Sequence, residues 1–89
     1  MTRYQVSRDA MIASLEGGTV LLHLDTKRYY SLNETGALIW RLLESGETDE
    51  RMLECLLETY DVSPAEASAT LADLLARLTS ARLVSPREE

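Results

Sequence analysis

The amino-acid sequence predicts an α+β domain, a three-stranded antiparallel sheet followed by three helices. Three observations predict it. Apolar residues alternate at period two in short runs between Met11 and Leu32. The period changes to helical spacing at Gly36, Ile39, Trp40 and Leu43, and stays helical over most of the remaining chain. Turn and cap residues stand at the changes: Gly17-Gly18, Asn33, Gly46 and Ser63-Pro64. With 89 residues, the chain has one modest core to bury.

Residues 1–10 read as an N-terminal arm or a short strand, with a weak alternation at Tyr4 and Val6. Residues 11–85 read as the domain and 86–89 as a polar tail. Met11–Leu15 is an edge strand, and the glycines after Glu16 supply the positive φ of a tight hairpin turn. Thr19–Leu24 is the second strand and Arg28–Leu32 the third. A three-residue loop, Asp25-Thr26-Lys27, sets Leu24 opposite Arg28, Leu22 opposite Tyr30 and Val20 opposite Leu32. That register gathers the strongest apolar set on one face and leaves Leu21, His23, Tyr29 and Ser31 on the other. It needs a left-handed residue at Lys27, at a cost of about 1 kcal/mol. A four-residue loop instead places Tyr29 on the face of Leu22.

The first helix spans about Glu34 to Ser45, with Asn33 as N-cap and Gly46 after its end. The second begins near Thr48 or Asp49, with Leu53, Leu56, Leu57 and Tyr60 as its apolar stripe. The third opens on Ser63-Pro64-Ala65-Glu66, a capping box with proline in the first turn. Its stripe is Ala67, Leu71, Leu74, Leu75 and Leu78, and Leu83 and Val84 return to the core. Three strands followed by three helices in this order resemble a winged helix-turn-helix domain.

Composition removes several function classes. The net charge is −6, and acidic side chains crowd between Glu44 and Asp61, which opposes binding to phosphate backbones. No apolar run is long enough for a membrane span, and no secretory signal is present. A lone cysteine, Cys55, excludes an internal disulfide framework and fits the cytoplasm. One histidine, His23, and one cysteine, distant in sequence, make no catalytic pair, and no metal-ligand spacing occurs. The reading is therefore a binding protein, not an enzyme, with no cofactor and no metal. In strand order 1-2-3 the third strand is an open edge able to accept a guest strand. The third helix stands ready as the wall of such a site.

The segments GG-TVLLHLDTKRYYSLNETGALIW, LLESG and LLETYDVSPAEASATLADLLARLTSARLV resemble the PqqD-like family, small recognition domains for ribosomally made, modified peptides. The likeness covers roughly Met11 to Val84 and is greatest to the stand-alone members of lasso-peptide pathways. It implies a protein that binds the leader segment of a precursor peptide by strand addition to the third strand, against the third helix. The implied partners are a cysteine-protease-like leader peptidase and an ATP-dependent macrolactam cyclase, in a monomer or weak homodimer without nucleic acid or membrane. Carried over by position, the peptide-binding residues are Arg28, Tyr29, Tyr30, Ser31 and Leu32 on the strand, with Thr70, Leu71, Leu74, Arg77 and Leu78 on the helix. The chain departs from the family habit of Gly where Lys27 stands and near Arg82, of Asp at Thr70, and of an acidic residue at His23. Two alternatives stand beside this reading: a leader-binding chaperone of another modified-peptide or quinone-cofactor pathway, and a winged-helix DNA-binding regulator.

Overall fold

The computed structural model describes residues 3–16 and 18–87. Its elements run β1 (Arg3–Val6), β2 (Ala10–Leu15), β3 (Gly18–His23), β4 (Tyr29–Leu32), α1 (Glu34–Glu44), α2 (Asp49–Thr59), α3 (Pro64–Ser80) and β5 (Val84–Arg87). Strands β2, β3 and β4 form an antiparallel sheet in that order. The α+β order of three sheet strands and three helices is the one the sequence predicts. The winged-helix likeness is loose, because β1 and β5 add a second antiparallel ribbon with Tyr4 opposite Pro86 and Val6 opposite Val84. Pro86 and Arg87, read from sequence as tail, lie in β5. Proline is tolerated there because a two-stranded ribbon leaves one side of each strand without a ladder. Gly18 takes a φ of 154° in the β2–β3 hairpin, and Gly17 lies outside the described residues.

The helix starts follow local chemistry. Asn33 Oδ1 accepts the Gly36 N–H at 2.8 Å, Thr48 Oγ1 that of Arg51 at 3.2 Å, and Ser63 Oγ that of Glu66 at 3.1 Å. Each cap satisfies a first-turn donor that no helical carbonyl can reach. Helix α1 stops where Gly46 turns left-handed, with φ 77°. Arg3 ties β1 to that turn by donating from Nη1 to the Gly46 carbonyl at 3.1 Å.

The core joins Leu21 and Leu32 of the sheet to Ile39, Trp40 and Leu43 of α1, Met52 and Leu56 of α2, Ala67, Leu71, Leu75 and Leu78 of α3, and Leu83 and Val84. The α1 stripe is as predicted. Trp40 is 1% exposed, and its Nε1 is buried without a hydrogen-bond partner, at a cost of about 1–3 kcal/mol against its large apolar burial.

Two faces differ from expectation. In the β3–β4 hairpin, Thr19 faces Leu32, Leu21 faces Tyr30 and Leu22 faces Tyr29. The main-chain bonds His23 N–H to Arg28 O and Lys27 N–H to His23 O, both 2.8 Å, close a turn with four residues between His23 and Arg28. The turn is one residue longer than the predicted loop, and that residue inverts the faces of β3 relative to β4. Leu21 and His23 are buried, at 0% and 3% exposure. Val20 and Leu22 are half-buried on the outer face, and Leu24 is exposed in the turn. The predicted core role of Val20, Leu22 and Leu24 is therefore corrected. Tyr30 and Leu32 do face inward, and Tyr29 is 72% exposed. In α2, Met52 and Leu56 are the buried pair, Leu53 and Tyr60 are half-buried, and Leu57 is exposed. Met52, Leu53, Leu56 and Tyr60 share one arc of the helix, and Leu57 lies at its margin, so Met52 takes the place predicted for Leu57.

Lys27 and Arg82 hold left-handed backbone, with φ of 64° and 61°, at the two places where the resembled family carries glycine. Lys27→Gly and Arg82→Gly should each stabilise the fold by about 0.5–1 kcal/mol, a rise of a few degrees in Tm. Thermal denaturation followed by circular dichroism measures it. The observed register makes a second prediction. Leu21→Ala should cost about 2–5 kcal/mol and Leu24→Ala under about 1 kcal/mol in urea titrations; equal costs would contradict the inward face.

Candidate functional site

The β3–β4 turn sets the geometry of the site. His23 is buried, and its Nδ1 accepts the N–H of Asp25 at 3.2 Å and of Thr26 at 3.4 Å. With Nδ1 as acceptor, the ring carries its proton on Nε2. The imidazole thus occupies two turn donors that the hairpin ladder leaves over, and it lies on the core face, not on the less apolar face assigned from sequence. Its main-chain N–H and C=O point toward β4, so by alternation those of Leu21 and Thr19 do the same. Their partners Arg28, Tyr30 and Leu32 spend their main-chain groups inside the sheet. Tyr29 and Ser31 turn theirs outward, on an edge where no further strand of the described residues pairs.

Beside this edge lies a groove of about 530 Å³ between β4, the start of α1 and one flank of α3. Its lining includes Ser31, Leu32, Gly36, Ile39, Thr70 and Leu74, with Asp73 and Arg77 at the outer wall. Helix α1 begins one residue after β4, so its first turn has to flank the strand. Gly36 makes that approach possible: a Cβ there would stand 3.2 Å from Leu32 Cδ2 and 3.3 Å from Asn33 Oδ1. The lining is mixed, with Leu32 and Leu74 beside Ser31 and Thr70, and the wall carries one ion pair, Arg77 Nη2 to Asp73 Oδ2 at 3.0 Å, with both side chains largely exposed. Such a pair contributes little to stability and is free to exchange partners with a guest.

The structure brings together five of the ten residues predicted for binding: Ser31, Leu32, Thr70, Leu74 and Arg77 line the groove. Arg28 precedes the strand and is exposed; its carbonyl receives His23. Tyr29 adds outward main-chain groups but points its ring to the outer sheet face. Tyr30 is half-buried against the core and does not line the groove. Leu78 is buried in the core, and Leu71 is buried between the core and a different concavity on the opposite flank of α3. Residue spacing on α3 could not separate the inward face from the groove flank without the position of β4. Sequence reasoning missed Asn33, Thr35, Gly36 and Ile39. The shortness of the β4–α1 connection was the available signal for them.

The concavity on the opposite flank of α3 is slightly larger, about 570 Å³, and is lined by Tyr4, Asp49, Leu53, Leu71, Ala72 and Ala76 among others. Burial, and secondarily the Asp49 charge, raise the Tyr4 phenol above its ordinary value. Of these two concavities the groove by β4 is the better candidate because it sets Leu32 and Leu74 beside an unpaired strand edge, where a guest backbone can gain hydrogen bonds while its side chains gain burial. Among the described residues no three His, Cys, Asp or Glu are placed to hold a metal, and no helix is long and apolar enough to cross a membrane. His23→Ala should leave the turn donors unpaired, cost about 1–3 kcal/mol, and speed amide exchange through Arg28–Ser31; His23→Asn, which can accept from the N–H two residues on, should restore part of the protection.

Comparison with known proteins agrees with this fold. The family model of coenzyme PQQ synthesis protein D (PqqD) matches residues 18–84. No curated protein sequence matches. A structure of TbiB1 in complex with the TbiA(beta) leader peptide is 29% identical, with a TM-score of 0.84 over 96% of this chain and 99% of that one. A lasso peptide synthetase B1 complexed with the leader peptide is 25% identical, with a TM-score of 0.81 over 93% of this chain and 98% of that one.

Proposed function

The chain belongs to the PqqD family, as a PqqD-like recognition element for ribosomally made, modified peptides, and from that premise we propose that it binds the leader segment of a lasso-peptide precursor. The leader adds as a strand antiparallel or parallel to β4, bonding to the outward N–H and C=O groups of Tyr29 and Ser31. Its inward side chains rest on Leu32 and Leu74. Thr70, Asp73 and Arg77 meet its polar groups at the rim. The observation that carries this reading is an unpaired strand edge beside a groove that Leu32 and Leu74 help to line. Likeness across nearly the whole chain to two leader-bound proteins supports it.

In this role the protein acts by binding and presentation. A cysteine-protease-like leader peptidase and an ATP-dependent macrolactam cyclase are the partners it would serve, in the cytoplasm. Main-chain bonding to Tyr29 and Ser31 tolerates many leader sequences, and the groove floor selects apolar side chains at alternate positions. The name of the matching family model favours one second reading, a leader chaperone for a quinone-cofactor pathway.

Calorimetric titration with a synthetic leader from the same gene neighbourhood should give a Kd below about 100 μM. Leu74→Ala should weaken binding about tenfold or more while circular dichroism stays native. Ser31→Pro should do the same by deleting an outward N–H that β3 does not use. Absence of binding by the native chain at that concentration would sink the proposal.

A further inference from the structure

The sheet has a second open edge, on β2, and its composition is unusual for an exposed strand. From Ala10 to Leu15 the chain reads AMIASL, without charge and without proline. Soluble proteins ordinarily protect an edge with lysine, proline, a bulge or a covering loop. Here Met11 is 54% exposed, Ile12 36% and Leu15 61%. Strand β1, next to it in sequence, pairs with β5 instead.

The hydrogen-bond alternation identifies which groups are open. His23 directs its main-chain groups toward β4, so Leu22 and Val20 direct theirs toward Met11 and Ala13 of β2. The bond from Leu24 N–H to Asp9 O at 2.8 Å continues that series. Ile12 and Ser14 are left with their N–H and C=O groups facing outward, and Ala10 with its C=O alone, because its N–H donates to the Ser7 carbonyl at 3.2 Å.

We infer that a second copy of this chain covers the β2 edge, pairing antiparallel about a twofold axis at Ile12. Only outward-pointing residues can pair with one another, and one register uses all three: Ile12 opposite Ile12 and Ala10 opposite Ser14. It makes about four main-chain hydrogen bonds, since the Ala10 N–H of each copy stays with Ser7. The same register brings Arg8 of each copy toward Glu16 of the other, so opposite charges meet at both ends of an otherwise uncharged seam. This complementarity selects a second copy as occupant even though the chain carries a net charge of −6. Met11 and Ala13 become cross-strand neighbours, and the two Ile12 side chains bury one another. The product is a continuous sheet of two hairpin units with a β4 edge at each outer end, so dimerisation leaves both leader grooves open.

Sedimentation equilibrium of the full chain across about 1–500 μM tests the pairing. A reversible dimer is expected, weakened about tenfold or more by Ile12→Arg and by Glu16→Arg. The double change Arg8→Glu with Glu16→Arg should restore it, a rescue that a mere folding defect would not give. Saturating leader should add two peptides per dimer without dissociating it. A chain monomeric throughout, a dimer indifferent to Ile12→Arg and Glu16→Arg, or a dimer that leader dissociates would each overturn the proposal. The leader reading stands or falls separately, because monomeric variants still carry the β4 groove.

Discussion

The main-chain bond between His23 and Arg28 decides more of this molecule than any other single contact. It sets which residues of β3 face β4, and through the alternation of a pleated sheet it sets the parity of all three strands. From it follow the inward placement of Leu21, Tyr30 and Leu32 and the outward hydrogen-bonding groups of Tyr29 and Ser31. On the far side of the sheet the same parity leaves Ile12, Ser14 and the Ala10 carbonyl open. The His23 ring holds the turn by accepting two backbone donors, so a polar side chain buried at 3% exposure has a local reason to be there.

The helical half of the chain turns this sheet into a site. Helix α1 must start immediately after β4, and the absence of a Cβ at Gly36 lets it lie close to Leu32. Helix α3 packs Ala67, Leu71, Leu75 and Leu78 inward, which rotates Thr70, Leu74 and Arg77 toward the strand edge. The groove is therefore a by-product of core packing. Its lining shares Leu32 and Ile39 with the core.

The acidic character of α2 has a plainer role. Arg51 is held by Glu54 at 2.9 Å and Glu58 at 3.6 Å on the solvent side, an arrangement with little energetic weight. An acidic face of this kind opposes polyanions, while strands β2 and β4 themselves carry no charged side chain. Charge and hydrogen-bonding capacity are thus distributed to different sides of a small domain.

Local chemistry written in the sequence determined the three helices, their caps at Asn33, Thr48 and Ser63, the α1 stripe and the three strands of the main sheet. Each depends on residues within a turn or two of one another. The likeness of YYSLN and GALIW to a peptide-recognition family also pointed to β4 and α3 as the candidate site. Tertiary structure alone decided the faces of β3, because inserting one residue in a turn inverts them and period two is the same either way. It alone decided that Leu71 and Leu78 belong to the core and Leu74 to the groove, since all three lie on the apolar side of α3 until β4 is set beside it. The β1–β5 ribbon and the place of Asn33, Thr35, Gly36 and Ile39 in the groove were hidden for the same reason. They arise from segments that meet only when the whole chain is packed.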